Sequence, residues 1–177
     1  MGAFLSRRLE ALDLRVVLLD GKVFQGHCLL IALGLDSQGN KPILGLREGS
    51  TENACVAQAL LADLLARGLS SEQPLLFVID GAKALRKAIR EVFGDLALVQ
   101  RCQPHKRRNL FDHLPKTLQA SIDWALREAW DEPCAALAER RLTALARSLE
   151  YEHPGAAASL REGLEETLTV TRLGLSG

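Results

Sequence analysis

Two apolar runs in this chain end in the same way, and that ending restricts what the chain can fold into. Leu14–Leu19 closes on Asp20-Gly21, and Leu75–Ile79 closes on Asp80-Gly81. Each run is short, continuous and bounded by turn-forming residues, so each reads as a buried β-strand. Either dipeptide alone has a plain structural reading. Asp20-Gly21 suits a type I′ hairpin turn, and Asp80 suits the N-cap of a following helix. Taken together they suggest more: two carboxylates at the tips of neighbouring strands make half of a site for Mg²⁺ or Mn²⁺, the ions of phosphodiester chemistry.

The rest of the first half supplies the strands and helices around these tips. Leu14–Asp20, Lys22–Leu35 and Lys41–Arg47 read as three strands of an antiparallel meander, with a turn at Asp36–Asn40. Ser50 or Thr51 is placed to cap a helix carrying Val56, Leu60, Leu61, Leu64 and Leu65, with Gly68 as its C-terminal stop. A fourth strand at 75–79, a helix at 82–93, a fifth strand at 96–100 and a helix at 104–113 follow. The order β-β-β-α-β-α-β-α is that of an RNase H-like α/β fold. In that fold the first and fourth strands are neighbours, which brings Asp20 and Asp80 together. From Pro115 onward only helical stripes appear, with a break at His153-Pro154-Gly155. The chain therefore divides into a core at 1–113 and an all-helical region at 114–177. Trp124 and Trp130 fall in that region, where tryptophans ordinarily pack in the core.

The charge is arranged locally. The 177 residues carry no formal net charge, so a nucleic-acid surface has to be a patch. Lys83, Arg86, Lys87 and Arg90 sit at i, i+3, i+4 and i+7 on one side of the 82–93 helix, with Leu85, Ala88, Ile89 and Val92 opposite. Such a stripe is either a solvated face or a seat for a phosphate backbone. A second cluster, Arg101, Lys106, Arg107 and Arg108, surrounds a C-x2-H pair formed by Cys102 and His105. A zinc site requires about four ligands, and His27, His113 and His153 show no paired spacing. The pair reads instead as a brace for the site or a DNA contact. Cys28, Cys55, Cys102 and Cys134 are dispersed, as in a reduced, cytoplasmic chain. No stretch approaches the ~20 apolar residues of a membrane span.

These segments resemble the central part of the mutator-type transposases of bacterial insertion sequences. The resemblance is carried by LDG at 19–21, ALGLDSQGNKPILGLREGSTEN at 32–53, ARGL at 66–69, LLFVIDGAKALRKAIREVFG at 75–94, QRCQPHKRRNLFDHLPK at 100–116 and HPGAAASLREGLEETLTVTRLGL at 153–175. It implies an RNase H-like catalytic domain with a DDE triad that cleaves and transfers DNA strands using two Mg²⁺ or Mn²⁺ ions. Asp20 and Asp80 match the first and second triad positions, and Cys102 and His105 match the family's C-x2-H signature. The helical region matches an insertion that precedes the third acid. In the family that acid follows the insertion, in a segment resembling Asn-Pro-Ile-Glu-Asn, and no such segment lies within 1–177. Glu162, Glu165 and Glu166 match the insertion. The resemblance thus implies a fragment inactive by itself, or a non-catalytic remnant that binds DNA or the full-length transposase. It implies transposon ends and target DNA as partners, a homo-oligomer for the full-length protein, no membrane and a nucleoid-associated location.

Overall fold

The computed structural model describes residues 6–175 and divides the chain into two compact units, with the boundary at Val99/Gln100. The first unit is a mixed α/β structure. Its strands are β1 (Leu14–Phe24), β2 (His27–Asp36), β3 (Ile43–Glu48), β4 (Leu75–Ile79) and β5 (Ala97–Arg101, at the boundary), in the sheet order β3-β2-β1-β4-β5. β1 pairs antiparallel with β2, and β2 with β3, while β1 runs parallel to β4. Helix α1 (Ala54–Ala66) packs on β3 and on α2 (Lys83–Phe93). The core joins Val17 and Leu19 of β1, Leu30 of β2 and Phe77 and Ile79 of β4 to Leu60, Leu61 and Leu64 of α1 and Leu85 and Ile89 of α2. The Phe77 and Phe93 rings meet at 4.9 Å between centroids, within the range of favourable tilted pairs.

The first hairpin corrects the strand boundaries read from sequence. β1 does not end at Asp20. It runs through Asp20-Gly21 to Phe24, and β2 begins at His27, with Phe24 opposite His27. The turn is Gln25-Gly26, at φ 48° and 83°. Positive φ at both central residues is what a type I′ turn requires. Gly21 has a different reason to be glycine: a Cβ there would lie 3.0 Å from Thr51 Cγ2. The cap of α1 also differs from expectation. It is Asn53, whose Oδ1 accepts the N–H groups of Cys55 and Val56, rather than Ser50 or Thr51. The expected stop is present: Leu69 N–H bonds to Leu64 O and Gly68 N–H to Leu65 O, with Gly68 at φ 96°, a Schellman ending.

The second unit is helical beyond β5. It comprises α3 (Gln103–Phe111), α4 (Lys116–Trp130), α5 (Ala135–Leu149), α6 (Pro154–Arg161), a 3₁₀ turn (Glu165–Leu168) and the short α7 (Thr169–Arg172). Leu110, Ile122, Leu126, Leu142, Leu149, Leu160 and Leu168 form its separate core. Thr167 is buried, and its carbonyl accepts from the side-chain amides of Gln100 (2.8 Å) and Gln103 (3.0 Å). Trp130 donates its indole N–H to Thr167 Oγ1 at 3.3 Å. Trp124 is not a core residue: it is 67% exposed on α4. Among the described residues no helix is long and apolar enough to cross a membrane.

Candidate active site

The register of β1 against β4 positions the two aspartates. The parallel ladder runs from Val16/Leu76 to Leu19/Ile79. Asp20 and Asp80 each follow its last pair, on strands separated by about 4.8 Å. Both belong to the first unit. In that parallel pair they sit at the carboxyl ends, where open α/β sheets place their ligand sites. Asp80 leaves the ladder and turns. Its Oδ1 accepts the Ala82 N–H at 2.9 Å, and Gly81 takes φ 101°. Asp80 therefore shapes the entry to α2 without being its N-cap, which is Ala82.

Asp20 stays within β1, and its position there brings in a residue that the sequence reading missed. Side chains two apart on a strand share a face. Lys22 Nζ lies 2.9 Å from Asp20 Oδ2, with the lysine side chain 63% exposed and the aspartate 34% exposed. The signal is the i, i+2 spacing of Asp20 and Lys22. It carries no meaning for a strand that stops at Asp20.

The donor chemistry of the pair fits a hard divalent cation: two carboxylates, each one residue past the last pair of adjacent strands. The Lys22 ammonium is the cation that Asp20 holds in this structure. No group of three or more His, Cys, Asp or Glu side chains suited to a metal occurs among the described residues. Two other acids of this unit serve the fold. Asp36 accepts the N–H groups of Gln38 and Asn40 and the Asn40 side-chain amide, closing the β2–β3 turn. Asp63 pairs with Arg67 at 3.0 Å and Arg47 at 3.7 Å.

The basic residues divide into two groups. On α2, Lys83, Lys87 and Arg90 are exposed, Arg86 is half-buried, and Leu85, Ala88 and Ile89 face the core. Lys87 reaches Glu91 at 3.7 Å, and Glu91 also accepts from Gln58. The 101–108 cluster is a different matter. Arg101 is 4% and Lys106 0% exposed at the side chain, and both pair with Glu162, at 2.8 Å and 3.3 Å. Lys106 also donates to the carbonyls of Ser159 and Glu162, an ammonium set against the C-terminal end of α6, where positive charge is favoured. Arg101 and Lys106, expected from the sequence to hold phosphates, are here buried and ion-paired to Glu162. Arg107 lies 4.9 Å over the Phe111 ring and bridges to Asp123. Arg108 is exposed. Cys102 is the N-cap residue of α3 and His105 lies in its first turn, both half-buried.

Comparison with known proteins gives this site its context. The sequence model described as "Transposase, Mutator family" matches residues 1–175. The transposase of insertion sequence element IST2 from Acidithiobacillus ferrooxidans is 33% identical over 141 residues, covering 80% of this chain and 47% of that protein. The transposase of IS6120 from Mycolicibacterium smegmatis is 32% identical over 172 residues, covering 94% of this chain and 52% of that protein. The transposase of IS256 in transposon Tn4001 from Staphylococcus aureus is 30% identical over 148 residues, covering 82% and 37%. The chain spans about half the length of the first two relatives. It belongs to the Mutator family of transposases.

Proposed function

We propose that the first unit is the RNase H-like catalytic core of a DNA transposase of the DDE type, with Asp20 and Asp80 as two of its three acids. The observation that carries this reading is the parallel register of β1 and β4, which leaves both aspartates at one end of the ladder. Asp20 and Asp80 would hold Mg²⁺ or Mn²⁺, which supplies activation of an attacking water or 3′-hydroxyl and stabilises the leaving oxygen. The chain's own part is to fix the two carboxylates. Asp20 is fixed by its place in the β1–β2 ladder opposite Ile31, one residue beyond the last β1–β4 pair, and Asp80 by its bond to Ala82 N–H. The exposed cations Lys83, Lys87 and Arg90 on α2, and Arg108 on α3, are the proposed contacts to the DNA backbone.

With no group of three or more suitable side chains among the described residues, residues 1–177 are proposed to bind the metal weakly through Asp20 and Asp80 and to cleave nothing alone. Misplacing reacting groups by about 1 Å already costs on the order of a hundredfold, and a missing ligand costs more. The test is Mn²⁺ binding by residues 1–177 and by Asp20→Asn and Asp80→Asn, followed by incubation with a duplex carrying the element's ends. Weak binding that both substitutions abolish, without cleavage, is the expected result. Binding indifferent to both substitutions would overturn the assignment. Cleavage that vanishes in Asp80→Ala would show that another residue of this chain supplies the third acid. Glu165 and Glu166 would then be tested before Glu162, which is committed to Arg101 and Lys106.

A further inference from the structure

We propose that Lys22 is a resident counter-ion of the acid pair, and that a divalent cation displaces it from Asp20 onto the phosphate of bound DNA. This deepens the reading of Asp20 and Asp80 as metal ligands and rests on it. Three observations support it. The Lys22 ammonium is 2.9 Å from Asp20 Oδ2, where a cation serving that carboxylate has to sit. The continuity of β1 through Gly21 puts Lys22 on the same strand face as Asp20, two residues further along. The lysine side chain is 63% exposed, so it swings away without disturbing the core.

The consequence follows from charge. Two carboxylates, each just past the last pair of adjacent strands, repel, and a single ammonium offsets part of that repulsion before a metal arrives. A divalent ion on Asp20 expels the ammonium by like-charge repulsion. The four-carbon stem of lysine keeps the expelled charge nearby, beside the phosphate that the metal would hold. Lys22 keeps its positive charge throughout, and no proton moves. Lys22 is thus a positioning residue in the metal-free protein and a phosphate contact in the loaded one.

The experiment uses residues 1–177 with Lys22→Gln, Lys22→Arg, Asp20→Asn and Asp80→Asn. Mn²⁺ binding is read by electron paramagnetic resonance, and the affinity for a short duplex is read with and without Mn²⁺. Circular dichroism verifies that each variant is folded. Lys22→Gln is expected to tighten Mn²⁺ binding by roughly two- to five-fold, the range that an exposed ion pair is worth, and Lys22→Arg to leave it near the original value. Without Mn²⁺, Lys22→Gln weakens duplex binding less than it does with Mn²⁺, because the lysine is then engaged by Asp20. With Mn²⁺ it weakens binding and flattens the salt dependence by about 0.9 in slope, the value of one neutralised phosphate. Unchanged or weaker Mn²⁺ affinity in Lys22→Gln, while Asp20→Asn and Asp80→Asn still abolish binding, overturns the role of Lys22 and leaves the acid pair standing. Absence of Mn²⁺ binding in both the parent and Lys22→Gln overturns the acid pair and this proposal together.

Discussion

At the scale of single residues, the firmest structural commitment in the second unit is Lys106. Its ammonium has no exposure and is engaged by two carbonyls and by Glu162. Lys106→Met keeps most of the volume and removes the donor, stranding acceptors that are partly buried. It is expected to lower stability by about 1–3 kcal/mol, read as a fall in the urea midpoint of residues 1–177. Glu162 gives a second prediction. Burial pushes its carboxyl up, but the hydrogen bond and charge of Arg101 and the charge and hydrogen bond of Lys106 push it down by more, so it lies below the ordinary glutamate range. A carboxyl whose folded pKa is depressed stabilises the fold in its ionised form. That contribution is present above the unfolded value of about 4.3 and is lost as pH falls through the lower, folded value. Urea midpoints taken from pH 6 downward are expected to fall less steeply for Glu162→Gln than for the parent in that acid window. Neither residue was legible in the sequence. Arg101 and Lys106 stand in a run of cations that reads as surface, and the acceptors that bury Lys106 lie 53 and 56 residues further on.

Among the elements, what the sequence made plain was type and order. Five strands and the helices between them stand where period and turn residues put them, because short apolar runs and helical leucine spacing are local signals. Boundaries were less legible where two local signals competed. Asp20-Gly21 satisfies the preferences of a hairpin turn, yet three further residues of β1 pair with β2, and the turn falls on the weaker signal Gln25-Gly26. Ser50, Thr51 and Asn53 all favour N-caps, and only backbone geometry selects Asn53. Asn53→Ala is therefore expected to cost about 1 kcal/mol, while Ser50→Ala leaves the thermal midpoint nearly unchanged. Equal effects from the two substitutions would contradict the observed cap. The candidate site was legible to the same degree. The two aspartates were visible as pattern, but Asp20 lies inside β1 and not at its tip, and Lys22 became visible only once β1 was seen to continue.

For the molecule as a whole, zero formal net charge means that any DNA affinity is local. Replacing the exposed cations Lys83, Lys87 and Arg90 by alanine is expected to weaken duplex binding and to flatten its salt dependence by about 0.9 in slope for each phosphate no longer neutralised. An unchanged slope in a fluorescence titration against salt returns α2 to ordinary solvated surface. Half-buried Arg86 stays unaltered in that variant because its substitution would also disturb packing. The burial of Lys106 has one more consequence, and it concerns time. Lys22, Lys41, Lys83, Lys87 and Lys116 are all exposed and open to an amine-reactive reagent, whereas Lys106 is shielded. It acquires a label only in moments when α3 and the end of α6 separate. Its labelling rate, followed by mass spectrometry, is a clock for the opening of the helical unit, built into the chain without any added probe.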